Sequence, residues 1–247
     1  VVASPDGTHI ATSGYDGTLK IWDTAPGREL LTITAHTDIV WDIAYSPDGT
    51  HLATVGADGI AVLWDAVTGQ FTRSLSPGDG LTSLAFSPDG GQLAVGSATG
   101  KVFILDSETG QWVMTLPGHT YLVFDLAFSP DGSQLVTSSW DGTAKLWDLA
   151  SGRELLTFPE QWSGVAFSSD GKSIFTGGID WSVYRWDAAT GQELQKFSAG
   201  GQDVYGIAVS PDDNLLAVGQ QDGTIALWEI QSGKKLHTLS GHAGLVA

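Results

Sequence analysis

Apolar and polar positions fall into short runs of four to seven residues, bounded by Gly, Pro and Asp. Across residues 122–158 the runs are LVFDLAF, SQLVTSS, TAKLWDL and RELLTF, with SPDG, WDG and ASG between them. Val, Leu, Thr and aromatic residues fill the runs, which predicts strand, turn and strand again, four strands in all. Pro followed by Asp-Gly suits a type I turn that closes on a Gly at positive φ. No stretch of helical period is long enough for a stable helix. The middle runs, such as IAVLW (60–64) and KVFIL (101–105), are apolar on both faces. A sheet with one wet face would alternate, so these sheets are expected to be covered on both sides.

The same pattern returns with a fixed period. A Trp-Asp position recurs at 22, 64, 105, 147, 186 and 228, with gaps of 42, 41, 42, 39 and 42. Position 105 is Leu, and Trp228 is followed by Glu229. A Ser-led turn keeps register with it at Ser4, Ser46, Ser87, Ser129, Ser168 (as SSDG) and Ser210 (as SPDD). A four-stranded unit that must bury both faces finds its cover in the neighbouring units. A ring of such sheets meets that requirement.

The order Gly-His, SPDG, Asp-Gly and Trp-Asp within about 42 residues resembles the WD-repeat β-propeller family over essentially the whole chain. The expected fold is all-β: a β-propeller with six four-stranded antiparallel blades, or part of a seven-bladed or longer array. Residues 1–247 are expected to form a single domain of six repeats. The resemblance also implies a hydrogen-bonded chain of His, Ser/Thr, Asp and Trp in each repeat. Two repeats carry all four members: His36, Thr54, Asp58 and Trp64, and His119, Thr137, Asp141 and Trp147. The first repeat has Thr12, Asp16 and Trp22 but no His of its own, and His242 would supply it if the ring closes. The third has Val95, Thr99 and Leu105; the fifth keeps Thr176, Asp180 and Trp186; the sixth has Val218, Asp222 and Trp228. These three lack the His, and their blades are expected to rely on apolar packing.

His, Asp and a hydroxyl together suggest a catalytic triad, but this set is repeated around the chain with no oxyanion site beside it. The expectation is therefore no enzyme, with no catalytic residue, cofactor or metal. Each SPDG turn offers one Asp, too few for calcium, and the six His show no zinc spacing. A net charge of −17 with eleven Lys and Arg disfavours nucleic acid and anionic membrane surfaces. It favours a basic protein or peptide segment as partner. There is no Cys, which fits a reducing compartment.

Four of the ten Trp, at 41, 140, 162 and 181, fall outside the Trp-Asp and strand-core pattern. In the family, partner contacts concentrate on one rim, from residues early in the first strand and from the residue before the turn Asp. Carried over by position, these are Tyr15, Ile39, Trp41, Leu122, Phe124, Trp140, Asp203 and Tyr205. Aromatic anchors ringed by polar groups suit a binding hot spot. The chain opens without Met inside a first strand and ends at GHAGLVA, so a segment of a longer array is expected. Regular SPDG-rich repeats are similar to those attached to bacterial regulatory ATPases and kinases. That likeness implies a protein-binding scaffold or sensor in a larger cytoplasmic protein, with neighbouring domains as further partners. The alternatives are a propeller enzyme with a central-channel site, or a structural spacer or self-association unit.

Overall fold

In the computed structural model, described for residues 1–76, 79–244 and 246, the chain is all-β. Its strands form six four-stranded antiparallel blades of β-propeller type, each paired in sequence order. Blade one comprises Val2–Ala3, His9–Ser13, Thr18–Asp23 and Glu29–Thr34, and blade two Val40–Tyr45, His51–Gly56, Ala61–Asp65 and Phe71–Leu75. Blade three comprises Leu81–Phe86, Gln92–Ser97, Val102–Asp106 and Trp112–Leu116, and blade four Val123–Phe128, Gln134–Ser139, Thr143–Asp148 and Arg153–Pro159. Blade five comprises Gln161–Phe167, Ser173–Gly178, Ser182–Asp187 and Glu193–Ser198, and blade six Val204–Val209, Leu215–Gln220, Ile225–Glu229 and Lys234–Leu239. The contacts group into two compact units, residues 1–123 and 124–247.

The second and third strands are buried on both faces, as their two-sided apolar pattern requires. In the first unit Leu52, Leu63, Leu93, Val95 and Leu105 are all buried. In the second unit Leu146, Phe175, Val183, Leu216 and Val218 are likewise enclosed. Each such side chain contributes about 1.5–3 kcal/mol by leaving water. Fourth strands lie at the wet edge: Lys234–Leu239 is exposed along its whole length. In every blade the register of the third and fourth strands shifts just before the Trp position, as between Ile21 and Trp22 or Leu146 and Trp147.

The Ser-led turns consume their own aspartates. Ser46 Oγ donates to Asp48 Oδ1 at 2.6 Å, and the Thr50 N–H donates to the same oxygen at 3.0 Å. These bonds, the Ser46 one foremost, hold the Asp48 carboxyl down at about 2. The Asp-Gly turn needs glycine twice over: Gly17 sits at φ +75°, and a Cβ there would lie 2.5 Å from the His36 carbonyl oxygen.

Successive Ser-led turns also touch. A Cβ at Gly49 would stand 3.5 Å from Pro5, at Gly90 3.5 Å from Pro47, and at Gly171 3.4 Å from Pro130. Between blades five and six both partners differ, because Ser169 replaces the Pro and Asp213 replaces the Gly. Asp213 adopts φ 56°, and its carboxylate accepts the Ser169 N–H at 2.8 Å and the Ser169 O–H at 2.6 Å. Two departures from the repeat meet as one bidentate contact.

Candidate functional site

The scaffold of the site begins with the buried polar chains. In blade two the Trp64 indole N–H donates to Thr54 Oγ1 at 3.0 Å. Thr54 Oγ1 lies 2.8 Å from His36 Nε2, and His36 Nδ1 lies 2.9 Å from Asp58 Oδ1. A carboxylate only accepts, so Nδ1 carries the proton and Nε2 accepts the Thr54 hydroxyl. Burial pushes the Asp58 carboxyl up, but the His36 and Thr37 N–H groups outweigh it and hold it below its usual range. With the imidazole committed at both nitrogens, this set has no free base.

The other blades vary this theme. In blade one the Trp22 indole donates to Thr12 Oγ1 at 2.9 Å, and exposed Asp16 accepts the Thr18 hydroxyl and N–H. His242 is exposed in the second unit, its carbonyl packed over Gly223. In blade four the Trp147 indole donates to buried Thr137 at 2.9 Å, Asp141 accepts from Thr143, and His119 is buried. Blade three has Val95 and Leu105 enclosed at the Thr and Trp positions, and Thr99, at the Asp position, bonds to Ser97 at 3.1 Å.

Blade five differs from the apolar packing expected of it. Trp186 donates to Thr176 Oγ1 at 2.8 Å, and Thr176 donates onward to Gln161 Oε1 at 2.7 Å. Buried Gln161 takes the place of the missing His, and its amide donates to the Pro159 carbonyl. Blade six is intermediate. Gln220 is buried and bonded to Ala199 O and Thr224, whereas Val218 leaves the Trp228 indole N–H without a partner among the described residues.

On this scaffold the first strands present one recurring position, the residue that follows their first buried side chain. It is Trp41, Thr82, Phe124, Trp162 and Tyr205 in blades two to six. In blades two, three, five and six it sits in a break of strand register. A bulge of this kind re-aims the side chain it carries.

In the first unit, Trp41 and Tyr15 meet edge-on with ring centroids 6.4 Å apart. Tyr15 is 81% exposed and Trp41 49%. In the second unit four rings gather. Phe124 stacks on Trp140 at 6.3 Å and lies 6.1 Å from both Trp162 and Tyr205. Trp162 is 5.6 Å from Tyr205 and 6.4 Å from Trp140. Trp140 is exposed, and the other three are half-buried. Of the remaining rim residues named from the sequence, Ile39, Leu122 and Asp203 are half-buried beside the first strands.

Three contributors escaped the sequence reading. Trp162 stood out as an unassigned Trp but was not placed with the rim. Asp42 and Asp125 are the others, each an acid inside an otherwise apolar run. Asp42 accepts the Ile43 N–H at 2.7 Å and the Leu84 N–H of the next blade at 2.8 Å. Asp125 accepts the Leu126 N–H at 2.8 Å and the Val165 N–H of the next blade at 2.9 Å. Burial pushes the Asp125 carboxyl up to about 6, against the pull of those two donors. Each carboxylate ties one first strand to the next and so sets the register of the aromatic position. The signal was visible: a lone Asp in IVWDIAY and in LVFDLAF.

The WD domain, G-beta repeat family matches residues 1–23, 27–65, 110–148, 152–187 and 191–229. This chain belongs to the WD-repeat family. Residues 74–124 match the anaphase-promoting complex subunit 4 WD40 domain. Among curated proteins, it is similar to the dynein assembly factor with WD repeat domains 1 of Danio rerio, 44% identical over 45 residues. The Homo sapiens protein of that name is 42% identical over 45 residues. These matches cover 18% of this chain and 11% of each relative, about one blade. WD-repeat propellers generally serve as protein-interaction scaffolds. Among the described residues, no cluster of three or more His, Asp or Glu could hold a metal ion, and no helix is long and apolar enough to cross a membrane.

Proposed function

We propose that this WD-repeat chain is a non-catalytic protein- or peptide-binding module, the scaffold or sensor part of a larger cytoplasmic regulatory protein. The observation that carries this reading is the gathering of Phe124, Trp140, Trp162 and Tyr205 at the recurring first-strand position and beside it. Aromatic rings held by their neighbours lose little entropy on binding and bury large areas, which is how hot spots work. The His-centred polar sets support the reading from the other side, because their hydrogen-bonding capacity is spent on holding strands together. The net charge of −17 steers a basic segment toward the surface. The likeness to the dynein assembly factors extends over only 45 residues, so no partner is taken from them.

The test is a pull-down from source lysate. The chain is immobilised beside a variant with Trp41, Phe124 and Trp140 all changed to Asp, both first shown to be folded by circular dichroism. Proteins retained by the parent and lost on the variant support recognition through the aromatic positions. Equal retention on both contradicts it.

A further inference from the structure

The four rings of the second unit are supplied by acidic stretches of the chain. The stretches that supply them, residues 102–144, 154–171 and 197–233, contain no Lys or Arg. Glu160 and Asp203 each stand two residues ahead of an aromatic bulge residue, Trp162 and Tyr205. Glu160 is exposed and held at φ 61°, and Asp203 is half-buried. Burial, and then the Asp203 charge, push the Tyr205 phenol up. Elsewhere this chain places its own cations over rings, with Lys196 5.0 Å from the Tyr184 centroid and Lys20 5.8 Å from that of Trp22.

We infer that the Phe124–Trp140–Trp162–Tyr205 surface takes an arginine side chain from a basic peptide segment, a reading that rests on the binding role proposed above. Trp140, 47% exposed, brings to this cluster an indole, the ring whose quadrupole attracts a cation most strongly. A guanidinium suits it better than an ammonium, because it is planar, weakly hydrated and stacks on indole. Its edge N–H groups then remain free to donate to the Glu160 and Asp203 carboxylates. An apolar anchor would use the rings but gain nothing from the two acids.

A random dodecapeptide display library panned against the whole chain tests this, with counter-selection on a Trp140→Asp/Trp162→Asp variant. The expected peptides share an arginine at one aligned position. A synthetic consensus peptide should lose about tenfold in affinity when that arginine becomes citrulline, which keeps the shape and removes the charge. Glu160→Gln/Asp203→Asn should weaken the arginine peptide and leave the citrulline peptide unchanged. Because the citrulline comparison uses the unaltered chain, it stands even if the ring variant fails to fold. Peptides without a shared arginine, or equal affinity for citrulline, overturn the cationic anchor while leaving the binding module intact. Peptides indifferent to the ring variant, or no peptides at all, overturn the surface as a peptide site; loss of the module itself is read separately from the lysate experiment.

Discussion

Blade two of the first unit and blade five of the second carry the same parts in different states. Both place a Trp in the first-strand bulge, Trp41 and Trp162, and both lock the third strand through a Thr–Trp bond. Behind that bond, blade two continues through His36 to Asp58, whereas blade five continues through Gln161 to the Pro159 carbonyl. In front, Trp41 is 49% exposed and meets Tyr15 edge-on, whereas half-buried Trp162 joins three other rings. The difference separates two duties of one repeat. The polar chain accepts replacement provided each buried donor finds an acceptor. The bulge position is free to vary, and its variation makes one surface unlike another.

The largest expected effect on this comparison comes from the shared Thr. Thr54→Val removes the acceptor of Trp64 and the donor of His36 at once. It should cost about 3 kcal/mol in urea unfolding. Thr176→Val strands the Trp186 N–H and Gln161, and should cost about 2 kcal/mol. A far smaller loss at Thr176 would show that Gln161 does not stand in for His.

Blade six supplies the reverse test. Val218→Thr offers an acceptor to the Trp228 indole N–H, which has no partner among the described residues, and should raise stability by about 1 kcal/mol, seen as a higher urea midpoint. Destabilisation would mean that the added hydroxyl itself stays unpaired.

The contact between Ser169 and Asp213 should show coupling of about 0.5–1 kcal/mol in a double-mutant cycle. Ser169→Pro and Asp213→Gly should each be worse alone than together, because the pair restores the Pro–Gly contact of the other turns. Strict additivity would leave the two departures unrelated.

The smallest effect is expected at the surface of blade two. Trp41→Ser should change stability by about 0.5 kcal/mol or less, since half of the side chain is already in water. A loss of 2 kcal/mol would turn Trp41 from a surface residue into a packing one.

The blades were legible because their signals are local and repeated. Each Ser-led turn satisfies itself within five residues, as Ser46 does with Asp48 and His51, so sequence alone displays it. The blade-five polar chain was not legible. Its spacing of 39 instead of 42 shortens the segment that would carry the His, and the acceptor comes from the strand itself as Gln161. Ser169 and Asp213 were each readable as departures, but their union spans 44 residues and depends on adjacent turns touching. Trp162 was readable as an oddity, and only the bulge aims it toward Phe124. Asp42 and Asp125 act across blades, on Leu84 and Val165, a relation that no local pattern contains.

The central claim is that the second unit's rings, more than the first unit's, make the docking surface. Isothermal titration of a peptide selected on the parent chain measures this directly, using Phe124→Ala/Trp162→Ala beside Tyr15→Ala/Trp41→Ala. Loss of about 30-fold or more for the first variant, against less than about threefold for the second, is the predicted result. Equal losses, or the reverse order, would contradict the account.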